Sequence, residues 1–469
     1  MHDSIFREYD IRGKIGSEFI IKDVYDLTRS IAYYFTQENP SVKRVVVGMD
    51  GRHSSPDVKK HMVAALQDSG LDVIFIGVCP SPVLYFALNT IPVDAGLMIT
   101  ASHNPADYNG IKISLGTHCI WGTQIKKIRD LYLEKKFLMA QVKGSYTQQE
   151  IIPTYITWIR DHFCSLIGMQ LPVAIDCGNG AGGTVLPELI KAMEWKNIQL
   201  LCAEVDGSYP NHEADPVVEK NMQHVKDTLA TTSAQLGIGL DGDADRMAAM
   251  TKSGILVPGD QLLAVFAQEV LKSLPGSAIV FDVKASLGLI ELLEQWHAKP
   301  CISPCGHAII KTQMDKHNAP LAGELSFHFF FADRYFGYDD GIYAMMRLFE
   351  IVNDSGKSLD ELIAIVPKKF SSPEIRIPCP EEKKEQIINY LKKEFGTRKN
   401  VDLLTIDGIR ATMPYGWVLV RSSNTQPVLS MRFEGNTLEE LITLKQDMIT
   451  LLSAFFDKKL LEKELGLIR

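Results

Sequence analysis

The sequence has no long apolar segment: no run among its 469 residues approaches the roughly 18 unbroken apolar residues of a membrane helix. Its first residues, MHDSIFREYDIRG, are charged where a secretory signal peptide needs an apolar stretch. Positive charge is also in deficit, because 49 Lys and Arg face 57 Asp and Glu and leave a net charge of -8. Such a surface repels the phosphate backbone of nucleic acids. We therefore expect a cytoplasmic protein that binds neither membranes nor nucleic acid.

Paired cysteines are missing as well. The 8 cysteines are scattered and form no C-x-x-C pair, which favours neither a disulfide framework nor a redox dithiol. One group, Cys301, Cys305 and His307, could suggest zinc, but a zinc site needs a fourth ligand and tighter spacing. We interpret the thiols as reduced and mostly buried. The remaining composition, 46% hydrophobic and 23% charged, is typical of a globular protein, and the length predicts about three domains or four small ones.

Short apolar runs that each end in a polar, glycine-bearing or acidic loop predict buried parallel strands. These runs are Val45 to Val47, Gly96 to Ile99, Val173 to Ile175, Leu236 to Leu240 and Ile279 to Phe281. Helical stretches lie between them; in the clearest one, Ser55 is the predicted N-cap and Gly70 the stop. Strands that alternate with helices indicate parallel α/β sheets, in which functional groups gather at the carboxyl ends of the strands.

The C-terminal part of the chain has a different pattern. An amphipathic helix around 387–391 precedes two strand-like runs that are joined by Asp407-Gly408, a hairpin turn signal. Two further strands, over 417–420 and 428–433, bracket a polar loop, and a helix closes the chain. We expect an α+β module appended to the α/β part.

Asp241, Asp243 and Asp245 follow a predicted strand at two-residue spacing, so in an extended loop their carboxylates converge on one side. Three crowded carboxylates repel one another unless a hard cation lies among them, and ligation by oxygen alone favours Mg²⁺. An EF-hand calcium loop is excluded, because Arg246 and Lys252 occupy the positions of its glycine and glutamate. A turn-forming or helix-capping cluster is the structural alternative.

Ser102 lies in the segment Thr-Ala-Ser-His-Asn-Pro after another predicted strand, where Pro105 stiffens the loop and backbone amides can face an anion. A serine held in this way can carry a phosphoryl group. The nucleophile elbow of the α/β hydrolases is absent, since Thr100 and Asn104 occupy its two glycine positions. Taken alone, the loop is weak evidence, because a turn that contains Ser and Asn is more often structural than functional.

Two further segments carry groups suited to a sugar phosphate. The loop RSSNTQP, which begins at Arg421, concentrates a guanidinium, hydroxyls and an amide, as a phosphate dianion requires. The segment GELSFH combines Glu324, Ser326 and His328 ahead of an aromatic run, a set that suits vicinal sugar hydroxyls. A solvated loop and a turn into a buried strand are the corresponding structural alternatives.

The motifs TASHNP, DGDADR, GELSFH and RSSNTQP, in this order and with FREYDIRG at the start, resemble those of the α-D-phosphohexomutase family. The resemblance runs the length of the chain and fits best the bacterial phosphomannomutase/phosphoglucomutase members, because the last loop carries Ser-Asn-Thr where phosphoglucosamine mutases usually show Ser-Gly-Thr. It implies three related α/β domains with mixed, mainly parallel sheets, over 1–148, 149–254 and 255–367, and a smaller α+β domain over 368–469, around a central cleft. The sequence departs from the pattern at two positions: Leu325 stands where phosphomannomutases often have Met, and Phe327 stands where they usually have Gly.

The resemblance also implies roles for individual residues. Ser102 would be the phosphoserine, and it would share one Mg²⁺ per chain with Asp241, Asp243 and Asp245. The implied catalytic residues also include His103, Lys112, Arg246, Lys284, His307 and His328. The implied substrate-binding residues are Tyr9, Arg12, Glu324, Ser326, His328, Arg421, Ser423, Asn424 and Thr425. His307 is then a residue of the cleft and not part of a Cys/His metal site.

Together these inferences predict an isomerase that interconverts hexose 1-phosphate and hexose 6-phosphate, with mannose, glucose or both as the sugar. Phosphoserine would donate its phosphoryl group to a hexose monophosphate and give a hexose 1,6-bisphosphate, which is both the intermediate and the activator. The bisphosphate would turn end over end and return its other phosphoryl group to Ser102. The general base stays open between His307, His328 and a nearby Lys. Small hexose phosphates are the expected partners, and a monomer or weak homodimer the expected state.

Two other functions remain open on the residues themselves. The first is a Mg²⁺-dependent sugar phosphatase in which Asp241 accepts the phosphoryl group as an aspartyl phosphate. The second is a non-catalytic protein that binds sugar phosphates through the same phosphate loop and gains nothing from Ser102.

Overall fold

The computed structural model describes residues 1–422 and 428–467 of the chain. The chain forms two compact units, each with its own core. The first unit comprises Met1–Leu262 and Ser326–Ile363, and the second comprises Leu263–Leu325 and Ala364–Arg469. Within the described residues, no helix combines the length and the apolar character that crossing a bilayer requires.

The N-terminal part of the first unit contains seven strands and four α-helices. They are β1 (Ile11–Lys14), α1 (Val24–Glu38), β2 (Arg44–Met49), α2 (Ser55–Asp68), β3 (Asp72–Val78), α3 (Ser81–Thr90), β4 (Ala95–Ile99), β5 (Tyr108–Leu115), β6 (His118–Cys119), α4 (Thr123–Leu133) and β7 (Tyr146–Gln148). The sheet has the order β1-β5-β4-β2-β3-β7, with β6 on β5; β4, β2, β3 and β7 run parallel and β5 antiparallel to β4. Alternate buried residues of β2 and β4 contribute to its core.

The next part of the first unit repeats the α/β arrangement with a smaller sheet. Its elements are α5 (Ile152–His162), β8 (Val173–Asp176), α6 (Leu186–Ala192), β9 (Ile198–Leu201), α7 (Gln223–Thr231), β10 (Leu236–Leu240) and β11 (Met247–Thr251). Helix α8 (Gly259–Ser273) begins in the first unit and continues into the second from Leu263. The strand order is β11-β10-β8-β9, in which β10, β8 and β9 are parallel and β11 returns antiparallel. The carboxyl ends of β8, β9 and β10 therefore lie at the same edge of the sheet.

The elements that follow are divided between the two units, because the chain passes from the second unit back to the first after Leu325. In the second unit lie β12 (Ala278–Asp282), α9 (Leu287–Gln295), β13 (Lys299–Ser303), α10 (His307–His317) and β14 (Leu321–Gly323); in the first lie β15 (Phe329–Phe331), α11 (Gly341–Ser355) and α12 (Leu359–Ile363). Strand β12 pairs parallel with both β13 and β14.

The C-terminal part of the second unit is an antiparallel sheet with helices. It contains β16 (Phe370–Ser371), β17 (Ile375–Pro378), α13 (Glu381–Gly396), β18 (Asp402–Leu404), β19 (Ile409–Met413), β20 (Gly416–Ser422), β21 (Val428–Gly435), α14 (Leu438–Leu452) and α15 (Lys458–Glu464). The order is β16-β21-β20-β19-β18, with β17 also on β21. Apolar residues of α13 and α14 pack on the sheet in one core.

The predicted fold class is confirmed: mixed α/β sheets precede an α+β module. The five predicted buried strands coincide with β2, β4, β8, β10 and β12 to within two residues at either end. One detail of the prediction is wrong. Ser55 is the first residue of α2 and donates its hydroxyl to the buried Asp50 at 2.8 Å, so it does not cap the helix, and Ser54 occupies the cap position.

Candidate active site

Ser102 lies at the carboxyl end of β4, in the loop that leads into β5. Its side chain is buried, and its backbone adopts the left-handed conformation with a φ of 50°. This conformation costs a residue with a β-carbon ~1 to 2 kcal/mol, so contacts around the loop must hold it. One contact is the Ser102 N–H, which donates to the Thr100 hydroxyl over 2.9 Å. The loop thereby fixes the direction in which the Ser102 hydroxyl points.

A buried arginine at the end of the neighbouring strand holds this loop. Arg52 follows β2, and its guanidinium donates to four backbone carbonyls between residues 102 and 108, over 2.6 to 3.1 Å. Its Nε donates to Asp50 at 3.0 Å, and neither side chain of this pair is exposed. No motif in the sequence pointed to Arg52. Its place directly after a predicted strand, beside a glycine, was the one available signal.

The three aspartates after β10 lie close together, with one carboxylate oxygen from each within 4.8 Å of the others. Asp241 accepts from the Ser102 hydroxyl at 3.0 Å, and Lys112 donates at 2.6 Å to Oδ2 of both Asp243 and Asp245. The Oδ1 atoms of Asp243 and Asp245 are buried and have no hydrogen-bond partner among the described residues. A buried carboxylate oxygen without a partner is costly, and a hard cation would satisfy both atoms. The donor set therefore fits a divalent metal ion.

Protons are unevenly distributed over this cluster. Burial raises the pKa of Asp241 well above its usual range, and the charges of Asp245 and Asp243 raise it further. Burial also acts on Asp245, but the attraction of Lys112 outweighs it and holds the pKa of Asp245 below its usual range. The same carboxylates overcome the effect of burial on Lys112 and raise its pKa. A divalent cation would supply the charge that allows Asp241 to ionise together with the other two.

An imidazole lies beside the Ser102 hydroxyl. Nδ1 of His103 is 3.1 Å from Ser102 Oγ. Burial lowers the pKa of His103 well below its usual value, and the charges of Arg246 and Arg12 lower it further. The ring is therefore neutral at physiological pH and can accept a proton from the hydroxyl. Arg12, in β1, donates to the Asn104 side chain at 2.7 Å and so also contacts the Ser102 loop.

Arg246 and His328 are joined at the edge of the aspartate cluster. Nε of Arg246 donates to Nε2 of His328 at 3.0 Å and lies 3.8 Å from Asp241. Nδ1 of His328 lies 3.1 Å from Asp339 and 3.6 Å from Asp245. Since Nε2 accepts from Arg246, Nδ1 carries the ring proton and faces the two carboxylates. Asp339 is fully buried, and no motif in the sequence pointed to it.

Phe327, where the sequence departs from the phosphomannomutase pattern, has a φ of 74° and a side chain that is buried. A left-handed φ is the conformation in which glycine is favoured, which accounts for the glycine that related sequences usually have there. The aromatic ring in this chain therefore occupies a position whose backbone suits a residue without a side chain.

In the second unit, one aspartate connects two of the predicted loops. Asp282, the last residue of β12, accepts the backbone N–H of Lys284 at 2.9 Å and that of Leu325 at 3.1 Å. Lys284 Nζ lies 3.5 Å from the same carboxylate. Burial acts to lower the pKa of Lys284, but acidic neighbours, Cys305 and Asp282 first among them, raise it overall, so the ammonium stays charged.

Glu324 and Arg421 are oriented by contacts of the same unit. Glu324 is buried and accepts the backbone N–H of Gly306 at 2.7 Å, directly before His307 at the start of α10. Arg421, in β20, forms an ion pair with Asp407 at 3.0 Å. The second unit therefore carries a carboxylate, an imidazole and two cations that the sequence analysis had selected.

The predicted site residues divide between the two units. The first unit contains Tyr9, Arg12, Ser102, His103, Lys112, Asp241, Asp243, Asp245, Arg246, Ser326 and His328, and the second contains Lys284, His307, Glu324 and Arg421. Ser423, Asn424 and Thr425 lie outside the described residues. In the part of the chain that the structure describes, Cys301, Cys305 and His307 form no group with metal-ligand spacing.

Four family models match successive parts of the chain. They describe phosphoglucomutase/phosphomannomutase alpha/beta/alpha domain I at residues 3–139, domain II at 154–254, domain III at 258–370 and the C-terminal domain at 374–451.

Individual relatives cover nearly the whole chain. It is 40% identical over 446 residues to a phosphomannomutase/phosphoglucomutase of Pseudomonas aeruginosa, with 94% of each chain covered. It is 37% identical over 436 residues to a phosphoglucomutase of Neisseria gonorrhoeae, which covers 92% of this chain and 93% of that protein. Its structure is similar to the crystal structure of a phosphoglucomutase/phosphomannomutase family protein of Burkholderia thailandensis, with a TM-score of 0.89 at 33% identity, over 97% and 98% of the two chains.

Proposed function

The chain belongs to the phosphoglucomutase/phosphomannomutase family and is a hexose phosphate mutase, and from this premise we propose that Ser102 carries the phosphoryl group between the two ends of the sugar. In the first half-reaction, the bond between Ser102 Oγ and phosphorus breaks while the free hydroxyl of a hexose monophosphate bonds to phosphorus. The product is a hexose 1,6-bisphosphate. It turns end over end and returns its other phosphoryl group to Ser102, leaving the isomeric monophosphate.

The observation that carries this proposal is the surroundings of the Ser102 hydroxyl. It is buried, it lies within 3.1 Å of both the Asp241 carboxylate and the His103 ring, and the loop that holds it is fixed by Arg52. Phosphoryl transfer depends on in-line positioning and on neutralised charge more than on covalent chemistry. A rigid serine among groups of this kind is suited to that task.

His103 and Ser102 exchange a proton in each half-reaction. When Ser102 leaves phosphorus, its oxygen takes a proton from the Nδ1 side of His103; when Ser102 attacks, the neutral ring takes that proton back. The lowered pKa of His103 leaves the ring neutral beside the free Ser102 hydroxyl, so the ring can take the proton when Ser102 attacks. The ring then holds that proton beside the phosphoserine and returns it when Ser102 next leaves phosphorus. The base that accepts the sugar hydroxyl's proton is a separate group, for which His307, His328 and a nearby Lys are the candidates.

The metal ion of this site would be held by Asp241, Asp243 and Asp245 together with the phosphoryl group on Ser102. The all-oxygen donor set favours Mg²⁺. When bound, the ion supplies positive charge to the transferring phosphoryl group. Arg246, 3.8 Å from Asp241, contributes a fixed positive charge at the edge of the same cluster.

Substrate binding is assigned to the remaining residues. Arg421, with Ser423, Asn424 and Thr425, binds the phosphate that is not reacting, and this loop must accept either phosphate in turn. Glu324 accepts from sugar hydroxyls, with Ser326 and His328 beside it in the sequence. The positions of O3 and O4 are the same in glucose and mannose, so an enzyme that recognises these atoms takes both sugars. We therefore propose that kcat/KM for glucose 1-phosphate and mannose 1-phosphate lies within about tenfold, ~1.4 kcal/mol.

Phe327 provides the test of this dual specificity. The two sugars are measured with the parent and with Phe327→Gly, and comparable values in both proteins support recognition away from C2. A preference beyond about a hundredfold that Phe327→Gly abolishes would show that the ring excludes one epimer and that dual specificity is wrong.

Intact-protein mass before and after incubation with glucose 1,6-bisphosphate tests the role of Ser102. The parent should gain one phosphoryl group that survives neutral hydroxylamine, and Ser102→Ala should gain none and lose nearly all turnover. Ser114→Ala, which removes another buried serine of the same domain, should behave as the parent.

Two outcomes would contradict the assignment. A phosphoryl group that persists in Ser102→Ala and is released by neutral hydroxylamine would indicate an aspartyl phosphate on Asp241 and a phosphatase. Uptake of no phosphoryl group, with sugar phosphate still bound, would indicate a binding protein.

A further inference from the structure

A second group of potential metal ligands lies in the first unit, separate from the aspartate cluster. It consists of Asp176, Cys202, His212 and His224. Asp176 is the last residue of β8 and Cys202 directly follows β9, its parallel neighbour, while His224 lies in the first turn of α7. From the sequence alone Cys202 is an ordinary reduced thiol, because its possible partners are 10 to 26 positions away with no short motif among them.

The four ligand atoms converge. One ligand atom from each residue falls within 4.8 Å of the others. Nε2 of His212 lies 3.1 Å from Oδ2 of Asp176 and 4.0 Å from Sγ of Cys202, and Nδ1 of His224 lies 3.6 Å from that sulfur. In a tetrahedral zinc site with bonds of ~2.0 to 2.3 Å, neighbouring ligand atoms are about 3.3 to 3.8 Å apart. The observed distances bracket this range.

Hydrogen bonds outside the group orient two of the ligands. Nδ1 of His212 lies 2.9 Å from the backbone carbonyl of Glu213 and donates to it, which leaves the Nε2 lone pair facing Asp176 and Cys202. The other oxygen of Asp176 accepts the backbone N–H of Gly178 at 2.8 Å. This is the arrangement in which metal-binding histidines usually occur, with the second ring nitrogen held by a carbonyl or carboxylate.

Facing atoms in this group need a positive charge between them. With Nδ1 as the donor to Glu213, the Nε2 lone pair of His212 meets a carboxylate oxygen of Asp176 at 3.1 Å, and two acceptors at this distance repel. Either a proton on His212 or a metal ion removes the repulsion. A proton on His212 forms an ion pair with Asp176 and leaves Cys202 and His224 to a separate thiol–imidazole contact of 3.6 Å, whereas a metal ion uses all four side chains.

We propose that Asp176, Cys202, His212 and His224 form a tetrahedral Zn²⁺ site that connects β8, β9, α7 and the loop around His212. One thiolate, two imidazoles and one carboxylate form a donor set that zinc prefers and that Mg²⁺ does not. Asp176 is buried, Cys202 and His212 are half-buried, and His224 is exposed, so the ion can enter from solvent on the His224 side. The ligands come from separate segments of one domain, so the ion stabilises their packing and is distinct from the ion of the catalytic cluster.

Binding requires the thiol to lose its proton to solvent as the sulfur bonds to zinc. Without a cation, burial raises the pKa of the Cys202 thiol to about 12, and the Asp176 charge acts in the same direction. Zinc bound at this position displaces the proton, as it does in other cysteine sites.

The test uses the full-length protein in excess Mg²⁺, so that the oxygen-only cluster is occupied, with Co²⁺ as a spectroscopic substitute for Zn²⁺. The parent should bind one equivalent of Co²⁺ with a sulfur-to-cobalt charge-transfer band, and Zn²⁺ should displace it. Cys202→Ser should lose the band, and His212→Ala should bind Co²⁺ at least about tenfold more weakly. Cys164→Ser, which removes an exposed cysteine of the same domain, is the matched control and should keep both.

A second measurement needs no variant. Zn²⁺ should slow alkylation of Cys202 in the parent, measured on its peptide by mass spectrometry, while alkylation of the exposed Cys164 continues at an unchanged rate. The proposal is overturned if the parent binds no Co²⁺ in excess Mg²⁺, if the band persists in Cys202→Ser, or if Zn²⁺ leaves Cys202 alkylation unchanged. Those outcomes would identify a protonated His212–Asp176 pair beside a free thiol.

Discussion

Replacing Lys112 by methionine should strongly destabilise the metal-free protein. Lys112 donates to Asp243 and Asp245 at 2.6 Å each, and the three side chains are at most 6% exposed. Methionine keeps much of the side-chain length and removes the charge. Two buried carboxylates then face each other and the neighbouring Asp241 without their cation.

The magnitude follows from these distances. At an effective dielectric constant of about 20, each contact at 2.6 Å corresponds to an attraction of ~6 kcal/mol, most of which offsets the cost of burying the ammonium. Removing one partner of a buried ion pair costs about 3 to 5 kcal/mol. Because Lys112 serves two carboxylates, we expect a loss near the upper end of that range in the free energy of unfolding, measured by urea unfolding in EDTA.

Magnesium should recover more stability in Lys112→Met than in the parent. The ammonium and Mg²⁺ repel each other across the same carboxylates, so the ion binds more tightly when the lysine charge is gone. Lys127→Met is the matched control: Lys127 pairs with Glu38 at 2.5 Å but is half-exposed, and its loss should cost under ~1 kcal/mol with no effect on Mg²⁺. Equal stabilisation of parent and Lys112→Met by Mg²⁺, or an undiminished stability in EDTA, would refute this reasoning.

Three further predictions concern other parts of the molecule. Burial raises the pKa of Asp340 to about 6, above the unfolded value of ~3.9. The contribution of Asp340 to the free energy of unfolding is therefore complete below about pH 4 and is lost as the pH rises through about 6. Asp340→Asn should remove a change of about 3 kcal/mol from the pH dependence of urea unfolding, and an unaltered profile would contradict this prediction. Phe327→Gly should lower the free energy of unfolding by about 2 to 3 kcal/mol, because loss of the buried ring outweighs the relief of left-handed backbone strain. Phe327→Ala keeps that strain and should be about 1 kcal/mol less stable than Phe327→Gly in the same assay. Arg421→Ala should raise KM roughly 10- to 150-fold for glucose 1-phosphate and glucose 6-phosphate alike in steady-state kinetics, and an effect on one substrate alone would argue against a loop that binds either phosphate.

The strands and their ends were predictable because their signal is local. A buried parallel strand needs a short run of apolar residues, and the change to polar residues marks the point at which it leaves the sheet. The sequence therefore indicated both the aspartate loop after β10 and the Ser102 loop after β4. The antiparallel pair β18 and β19 was predicted in the same way from the turn residues Asp407 and Gly408.

Contacts between distant segments were not predictable from such local patterns. Lys112 lies 131 positions before Asp243, and nothing in its own neighbourhood distinguishes it from another lysine; only the family resemblance selected it. Arg52 and Asp339 were missed because their importance comes from burial among partners far away in sequence. His103 was selected by its motif, but its neutral state depends on burial and on charges from other strands.

Some local features were visible only as departures from a pattern. The sequence showed that Phe327 replaces a usual glycine, yet the reason, a left-handed backbone with the ring buried, requires coordinates. Ser55 was predicted as a cap from its residue type, which does not distinguish the cap from the first helical residue.

The contacts of Arg52 have a consequence for the entropy of the catalytic cycle. A loop that becomes ordered only when Ser102 receives a phosphate would lose ~1 to 2 kcal/mol of backbone entropy per residue in every turnover. Here the guanidinium already holds four carbonyls of the loop, and that ordering takes place once, when the protein folds. Since these contacts do not involve the hydroxyl that gains and loses the phosphoryl group, the loop can keep one backbone conformation through both states of the serine.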